Sequence, residues 1–267
     1  MIKVEGAAFG YEKDQYLFQN LDFEVQEGET LAILGANGIG KTTFLRCLMG
    51  FLKLDEGKMF IDGKDTTHMS PTEFWKLVSY VPQARSLVFG YTVLNMVVMG
   101  RSQYVPFGCV PSQKDFDHAM GILEEMGLAD LANRSCNRLS GGQLQMVLIA
   151  RALAKDPRIL IMDEPESNLD MKNQLKVLDI IDRLAHRKNL AIIINTHFPA
   201  NAMRCSEKTL LLKNNGHLFG NTREIITRDH IQEYFDISAE VVHIEDGGRE
   251  YQGIIPINIL GKDPSIV

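Results

Sequence analysis

Between Leu31 and Gly50 the chain has little choice of conformation. The apolar run Leu31–Leu34 (LAIL) reads as a short buried strand. It passes without a linker into Gly35-Ala36-Asn37-Gly38-Ile39-Gly40-Lys41-Thr42-Thr43, and a helical pattern opens at once over Lys41–Gly50. The spacing G-x-x-x-x-G-K-T in a strand–loop–helix setting is that of a phosphate-binding loop. Its glycines let backbone N–H groups close around a phosphate chain, and the helix N-terminus adds positive potential. Asn37, Gly38, Gly40, Lys41, Thr42 and Thr43 are therefore the candidate cradle. Lys41 is expected to reach the β- and γ-phosphates and the Thr42 hydroxyl to ligate Mg2+. A plain glycine-rich turn would need neither the strand before it nor the helix behind it. The expected ligand is a nucleoside triphosphate.

Three further short runs resemble the first: Leu77–Val81 (LVSYV), Ile159–Met162 (ILIM) and Leu190–Ile194 (LAIII). All but LVSYV are nearly continuous rather than alternating, as in strands covered on both faces of a parallel sheet. Helical patterns at Pro71–Lys76, Gln143–Ala154 and Leu175–Lys188 separate them, so the fold class is α/β. Met1–Val4 and Leu21–Val25 read instead as an antiparallel flap. From Ala84 to Leu139 no buried strand is expected. Val93–Met99 and the amphipathic Lys114–Met126 suggest a helical insertion there, spanning about residues 84–150. The main domain is placed at 1–226. An extension, 227–267, should carry a hairpin of Val241–Ile244 and Tyr251–Ile255 around Asp246-Gly247-Gly248.

Composition removes several alternatives. Lys plus Arg number 28 against 34 Asp plus Glu, a net charge of −6 with no basic stripe, so nucleic acid is not an expected partner. No apolar run approaches the roughly 18–20 residues of a spanning helix. The N-terminal MIKVEGAAFGYEKD lacks the apolar core of a signal peptide. Cys47, Cys109, Cys136 and Cys205 form no CxxC pair and read as structural thiols in a reducing compartment.

In an open α/β sheet, ligands bind beyond the carboxyl ends of the strands. Strand ILIM ends in Asp163-Glu164, where the first carboxylate can hold Mg2+ and the second can orient water as general base. LVSYV runs into Pro82-Gln83 and LAIII into Asn195-Thr196-His197. Singly, a Gln or His after a strand is an ordinary loop residue. Together they place Gln83 and His197 with Lys41, Asp163 and Glu164 around one γ-phosphate. A further site opens at Leu139-Ser140-Gly141-Gly142-Gln143, ahead of the helix LQMVLIARALA. Ser140 would serve as a plain N-cap, yet the glycines leave bare N–H groups suited to an anion.

With LSGGQ and the phosphate loop in one chain, the sequence resembles ATP-binding-cassette (ABC) transporter ATPases from Val4 to about Gly220. The resemblance implies a P-loop NTPase with a RecA-like parallel sheet core, an antiparallel β subdomain and an α-helical insertion subdomain. It implies an ATPase using ATP and Mg2+, with Tyr11 stacked on adenine. Gln83 would sense Mg2+ and link the nucleotide to the permease. Glu164 would be the catalytic glutamate, Ser167–Asp170 the D-loop, and His197 the switch contacting the γ-phosphate. It further implies a head-to-tail homodimer in which Ser140, Gly142 and Gln143 of one copy close on the ATP of the other. Five positions depart from the family pattern: Glu166 replaces Thr, Asn168 replaces Ala, Phe198 replaces an acid, and Leu144 and Met146 stand where basic residues are common. Gly90-Tyr91-Thr92-Val93 and Val97-Val98-Met99-Gly100-Arg101 are similar to importers of metal chelates (iron–siderophore, haem, cobalamin) or related oxyanions. The expected setting is thus the cytoplasmic face of the cell membrane, with permease subunits and an extracytoplasmic substrate-binding protein. Phe89, Tyr91, Met96 and Met99, within Ala84–Tyr104, are candidates for a groove receiving a permease helix. A soluble, non-transport cassette ATPase of the iron–sulfur assembly type, and a transporter of another substrate, stay open as alternatives.

Overall fold

The protein is described from a computed structural model covering residues 1–12, 15–84, 90–106, 108–214 and 216–260. Five parallel strands lie at its centre: β3 (Thr30–Leu34), β6 (Val78–Val81), β7 (Ile159–Asp163), β8 (Ala191–Asn195) and β9 (Lys208–Lys213). With antiparallel β10 (Gly216–Asn221) at one edge, the order is β10-β9-β3-β8-β7-β6. The near-continuous apolar runs have a direct cause. Ala32, Leu34, Leu160, Met162, Ile192 and Ile194 face one buried cluster, while Leu31, Ile33, Ile159, Ile161, Ala191 and Ile193 face another. Neither face of these strands meets water, so neither can alternate with polar residues.

The second cluster is closed by α1 (Lys41–Leu48) and an antiparallel sheet of order β2-β1-β4-β5. Its strands are β1 (Ile2–Phe9), β2 (Phe18–Val25), β4 (Glu56–Ile61) and β5 (Lys64–Asp65). The flap thus has four strands where the sequence suggests two. β4 hides because its first three residues are exposed and only Met59 and Ile61 are buried. β9 is likewise not legible as a strand in the sequence. Its apolar core, Thr209–Leu212, is four residues long between two lysines, and Lys208 is paired with Glu29 at 2.7 Å.

The first cluster is closed by helices, chiefly α5 (Gly141–Leu153) and α6 (Met171–Lys188), together with α3 (Val93–Val98), α4 (Gln113–Glu125) and α7 (Pro199–Cys205). Short α2 (Pro71–Leu77), opened by a Ser70–Glu73 capping box, runs directly into β6. Among the described residues 84–139 form no strand, as expected. Arg101, mostly buried, anchors the insertion, donating to Asp115 (3.3 Å), Asp156 (2.8 Å) and the Ala154 carbonyl (3.0 Å). Met96 is a core residue, not a groove residue, at 4% exposure. Tyr91 and Met99 are exposed, and Phe89 lies outside the described residues.

After α8 (Thr222–Ile225) and α9 (Arg228–Phe235), β11 (Ile237–Asp246) and β12 (Arg249–Ile259) form the C-terminal hairpin. It is longer than the sequence suggests, paired from Ile237↔Ile259 to Asp246↔Arg249. Gly247 (φ 58°) and Gly248 (φ 76°) supply the two left-handed positions of a tight hairpin turn. Ile231, Tyr234 and Ala239 belong to the main helical core, so this tail packs on the cassette. Cys47, Cys136 and Cys205 are buried and free, and burial pushes the Cys47 thiol up to about 12. Among the described residues no helix is long and apolar enough to cross a membrane.

Candidate nucleotide site

The site grows from strand ends. β3 turns sharply at Gly35, where an added Cβ would lie 2.5 Å from the Leu212 carbonyl oxygen. The loop closes at Gly40, the left-handed N-cap of α1 (φ 99°). No side chain caps this helix and no acid stands in its first turn, so its positive end faces the loop uncompensated. Lys41 is 6% exposed, and its Nζ donates to the carbonyls of Gly35 (2.7 Å) and Ala36 (3.0 Å). Burial pushes its ammonium pKa down, against the opposing pull of Glu164 and Asp163. A cleft of about 300 Å³ is lined by Asn37, Gly38, Gly40, Lys41, Thr42 and Thr43, with Tyr11 and Glu164 at its sides. Tyr11 is 63% exposed, its ring edge-on to Phe9 and its hydroxyl 3.1 Å from Thr43 Oγ1.

A second cleft, about 440 Å³, brings together Thr42, Gln83 and Asp163. Their hydroxyl, amide and carboxylate oxygens are the hard donors that suit Mg2+. Asp163 is held from two strands: Asn195 Nδ2 donates to Oδ1 at 2.6 Å, and the Tyr80 hydroxyl approaches Oδ2 at 3.5 Å. Glu164 follows in a left-handed conformation, φ 46°, with its N–H bonded to the Asn195 carbonyl at 2.9 Å. Its Oε2 accepts from the Ser167 hydroxyl (2.9 Å) and faces Gln83 Nε2 (3.4 Å), while His197 Nδ1 lies 3.7 Å from Oε1. Lys41, Gln83, Asp163, Glu164 and His197 thus meet at the carboxyl ends of four strands. Two supporting groups carry no role in the sequence reading: Tyr80, and Gln145, whose Oε1 accepts the N–H of Ala84 beside Gln83 (2.9 Å). Ser167 is read there only as part of the D-loop and Asn195 only as a polar strand end, neither as a partner of a named carboxylate. Tyr80 and Asn195 did carry a signal, being polar groups at the ends of buried strands.

The LSGGQ segment lies elsewhere. Neither cleft includes Ser140, Gly142 or Gln143. Ser140 and Gln143 form a reciprocal capping box, at 3.1 and 3.3 Å. Gly142 lets α5 approach α6, since a Cβ there would sit 2.5 Å from Asn173 Cγ. The five departures also have local surroundings that suit them. Leu144 and Met146 are in the helical core, where a basic residue would be buried. Asn168 occupies a left-handed position, φ 60°, which Asn tolerates better than Ala. Phe198 packs against His197 with the rings tilted by 42° and their centroids 4.0 Å apart. Glu166 is fully buried and bonded to Thr196 and Asn201.

Comparison with known proteins gives the family. The ABC transporter family model matches residues 18–167. The chain is 37% identical to the molybdate import ATP-binding protein MolC of Haemophilus influenzae, over 88% of this chain and 88% of that protein. A metal-chelate-type ABC transporter solved in an inward-facing conformation superposes with a TM-score of 0.85 at 34% identity, covering 96% of this chain and 97% of that one. An ATP-binding cassette solved as a post-hydrolysis dimer with ADP and Pi gives 0.69 at 28% identity, covering 84% and 99%. The family match, the sequence relatives and the strand-end site converge: this chain belongs to the ABC transporter family, as one of its ATP-hydrolysing, P-loop subunits.

Proposed function

We propose that this subunit couples ATP hydrolysis to import of a metal chelate or related oxyanion through a separate membrane permease. It would work as a head-to-tail pair of copies on the cytoplasmic face of the membrane, with an extracytoplasmic substrate-binding protein delivering the cargo. The observation that carries the reading is the meeting of Lys41, Gln83, Asp163, Glu164 and His197 at one sheet edge, beside a glycine cradle. The import assignment draws on the likeness to molybdate and metal-chelate systems. The exposed Tyr91 and Met99 leave part of the insertion open to a permease helix. Residues 227–267 are read as an extension of the cassette, 1–226, rather than a second domain.

In this reading the phosphates enter at the α1 N-terminus, and Lys41 exchanges its two carbonyl partners for β- and γ-phosphate oxygens. Thr42, Gln83 and Asp163 would hold Mg2+, which, when bound, neutralises charge on those oxygens. Glu164 accepts a proton from the water that attacks the γ-phosphorus, and the bond to the β–γ bridging oxygen breaks, leaving ADP. Ser167 and Gln83 aim the Glu164 carboxylate, and His197 approaches from the opposite side. Tyr11 offers its ring to the base, and Ser140, Gly142 and Gln143 of the second copy close the site. The purified chain, alone and reconstituted with its permease, tests this by phosphate release. Glu164→Gln should bind ATP and lose hydrolysis by about a hundredfold or more. Hydrolysis at the wild-type rate would remove Glu164 from the mechanism, and absence of cargo uptake with the permease present would remove the import reading.

A further inference from the structure

No other acidic or basic side chain among the described residues is as fully enclosed as Glu166, which has no solvent exposure. Its Oε1 accepts the Thr196 hydroxyl and the Asn201 amide, the latter at 3.3 Å. Thr196 Oγ1 in turn accepts the Phe198 N–H at 3.1 Å. One carboxyl therefore gathers the two residues that flank His197 and the first turn of α7 behind it. The other oxygen, Oε2, has no hydrogen-bond partner among the described residues. Burial pushes this carboxyl's pKa up, the bonds to Thr196 and Asn201 and the nearby His197 only partly opposing. Cys205, from the end of α7, is close enough for the Glu166 charge to raise its thiol further.

Such an arrangement is a poor way to fill a core, because an unsatisfied buried polar atom costs about 1–3 kcal/mol. What it provides is position. Among the described residues His197 Nδ1 has no hydrogen-bond partner, only the 3.7 Å approach to Glu164 Oε1. The imidazole is not fixed by bonds at that nitrogen, so its seat is inherited from the backbone of residues 196–198. That backbone is tied by Thr196 N–H to the Ile33 carbonyl (3.1 Å) and by the Thr196 side chain to Glu166. Glu166 itself stands two residues after Glu164, whose carbonyl accepts the Ser167 N–H at 3.1 Å.

We propose that Glu166 is a positioning residue for hydrolysis: through Thr196 and Asn201 its carboxyl sets His197 opposite Glu164. This rests on the reading of His197 as a γ-phosphate contact. The test is steady-state ATP hydrolysis by the full chain, with thermal unfolding of each variant. Glu166→Ala should lower kcat about 10–100-fold, the scale of a displacement near 1 Å, with KM for ATP within about twofold because the phosphate loop is untouched. Glu166→Gln keeps an oxygen acceptor for both partners and should retain most of kcat. Thr196→Val, which removes only the hydroxyl, should lose kcat as Glu166→Ala does, and the double variant should be no worse than either single one. Should Glu166→Ala fail to fold, Thr196→Val carries the same comparison. Wild-type kcat in Glu166→Ala or Thr196→Val, or failure of glutamine to rescue, overturns the inference. His197→Ala separates the two levels: if it hydrolyses normally the reading of the site fails, whereas its loss beside an active Glu166→Ala defeats the positioning role alone.

Discussion

Glu164 adopts φ 46°, in the left-handed region where a residue with a Cβ is strained by roughly 1–2 kcal/mol. Replacing it by alanine or by glycine removes the same carboxylate and the same contacts, to Ser167 at 2.9 Å and Gln83 at 3.4 Å. The difference between the two variants therefore isolates one methyl group. Glycine relieves the left-handed strain but enlarges the freedom of the unfolded chain, a loss of about 0.4–1 kcal/mol. The remainder favours glycine by about 0.5–1 kcal/mol. At an ordinary helical or extended position the order is reversed, alanine being the more stable by about 0.5–1 kcal/mol. For a domain of this size the difference moves the melting temperature by roughly 1–4 °C. Scanning calorimetry should find Glu164→Gly melting above Glu164→Ala, while neither hydrolyses ATP. An alanine variant that melts at or above the glycine variant would refute the argument, because the turn would then not be held left-handed. The strain has a structural use. A residue leaving β7 in extended conformation would continue along the sheet, whereas the left-handed turn directs the next carboxylate back toward Gln83 and His197.

Two stability predictions follow from neighbouring contacts. Gly142→Ala should destabilise the fold by about 1–3 kcal/mol in urea, because the new Cβ overlaps Asn173, whose backbone and side-chain amides are both held by Asp170 at 2.8 Å. Glu166→Gln should gain stability over wild type as pH rises. The buried acid's folded pKa lies above 4.5, its ordinary value, so the native state retains a proton that the unfolded chain releases. Wild-type stability is then lost between that pH and the raised folded value, and glutamine has nothing to titrate. Urea midpoints of the two should differ by one constant below about pH 4.5, diverge above it, and level off once pH passes the raised folded value.

The legible parts of this protein are those where one physical demand fixes several adjacent residues. A strand buried on both faces must be apolar throughout, so β3, β7 and β8 announce themselves; a loop wrapping phosphate needs glycine, lysine and threonine in order. Where the demand is shared with neighbours, the sequence is weaker. β4 has only Met59 and Ile61 buried, and β9 has four buried residues between lysines that are themselves paired. Chemical side chains at the strand ends were readable because the sheet edge is their common address. Their supports were not: Asn195 and Tyr80 act on Asp163 from other strands, and nothing within either segment says which carboxylate it will meet.

The LSGGQ segment, proposed above to close on the ATP of a second copy, is fully capped within one chain and still available to an anion. Within one chain it is a well-capped helix: Ser140 Oγ accepts the Gln143 N–H, and Gln143 Oε1 accepts the Ser140 N–H. Both bonds use acceptors of the two side chains and leave their donors, the Ser140 hydroxyl hydrogen and the Gln143 amide hydrogens, uncommitted to the cap. Ser140 and Gly141 are exposed, and no acid stands in the first turn of α5 to compensate its positive end. If two copies pair as proposed above, an anion brought by the second can be bound without breaking the cap, and folding of the single chain would not compete with pairing. Loss of the cap and loss of the interface are then separable. Ser140→Asp keeps a side-chain acceptor for the cap but places a negative charge where the anion must sit, so it should leave the melting temperature within about 2 °C of wild type and suppress hydrolysis. Unimpaired hydrolysis by that variant would show that this helix end never faces a phosphate.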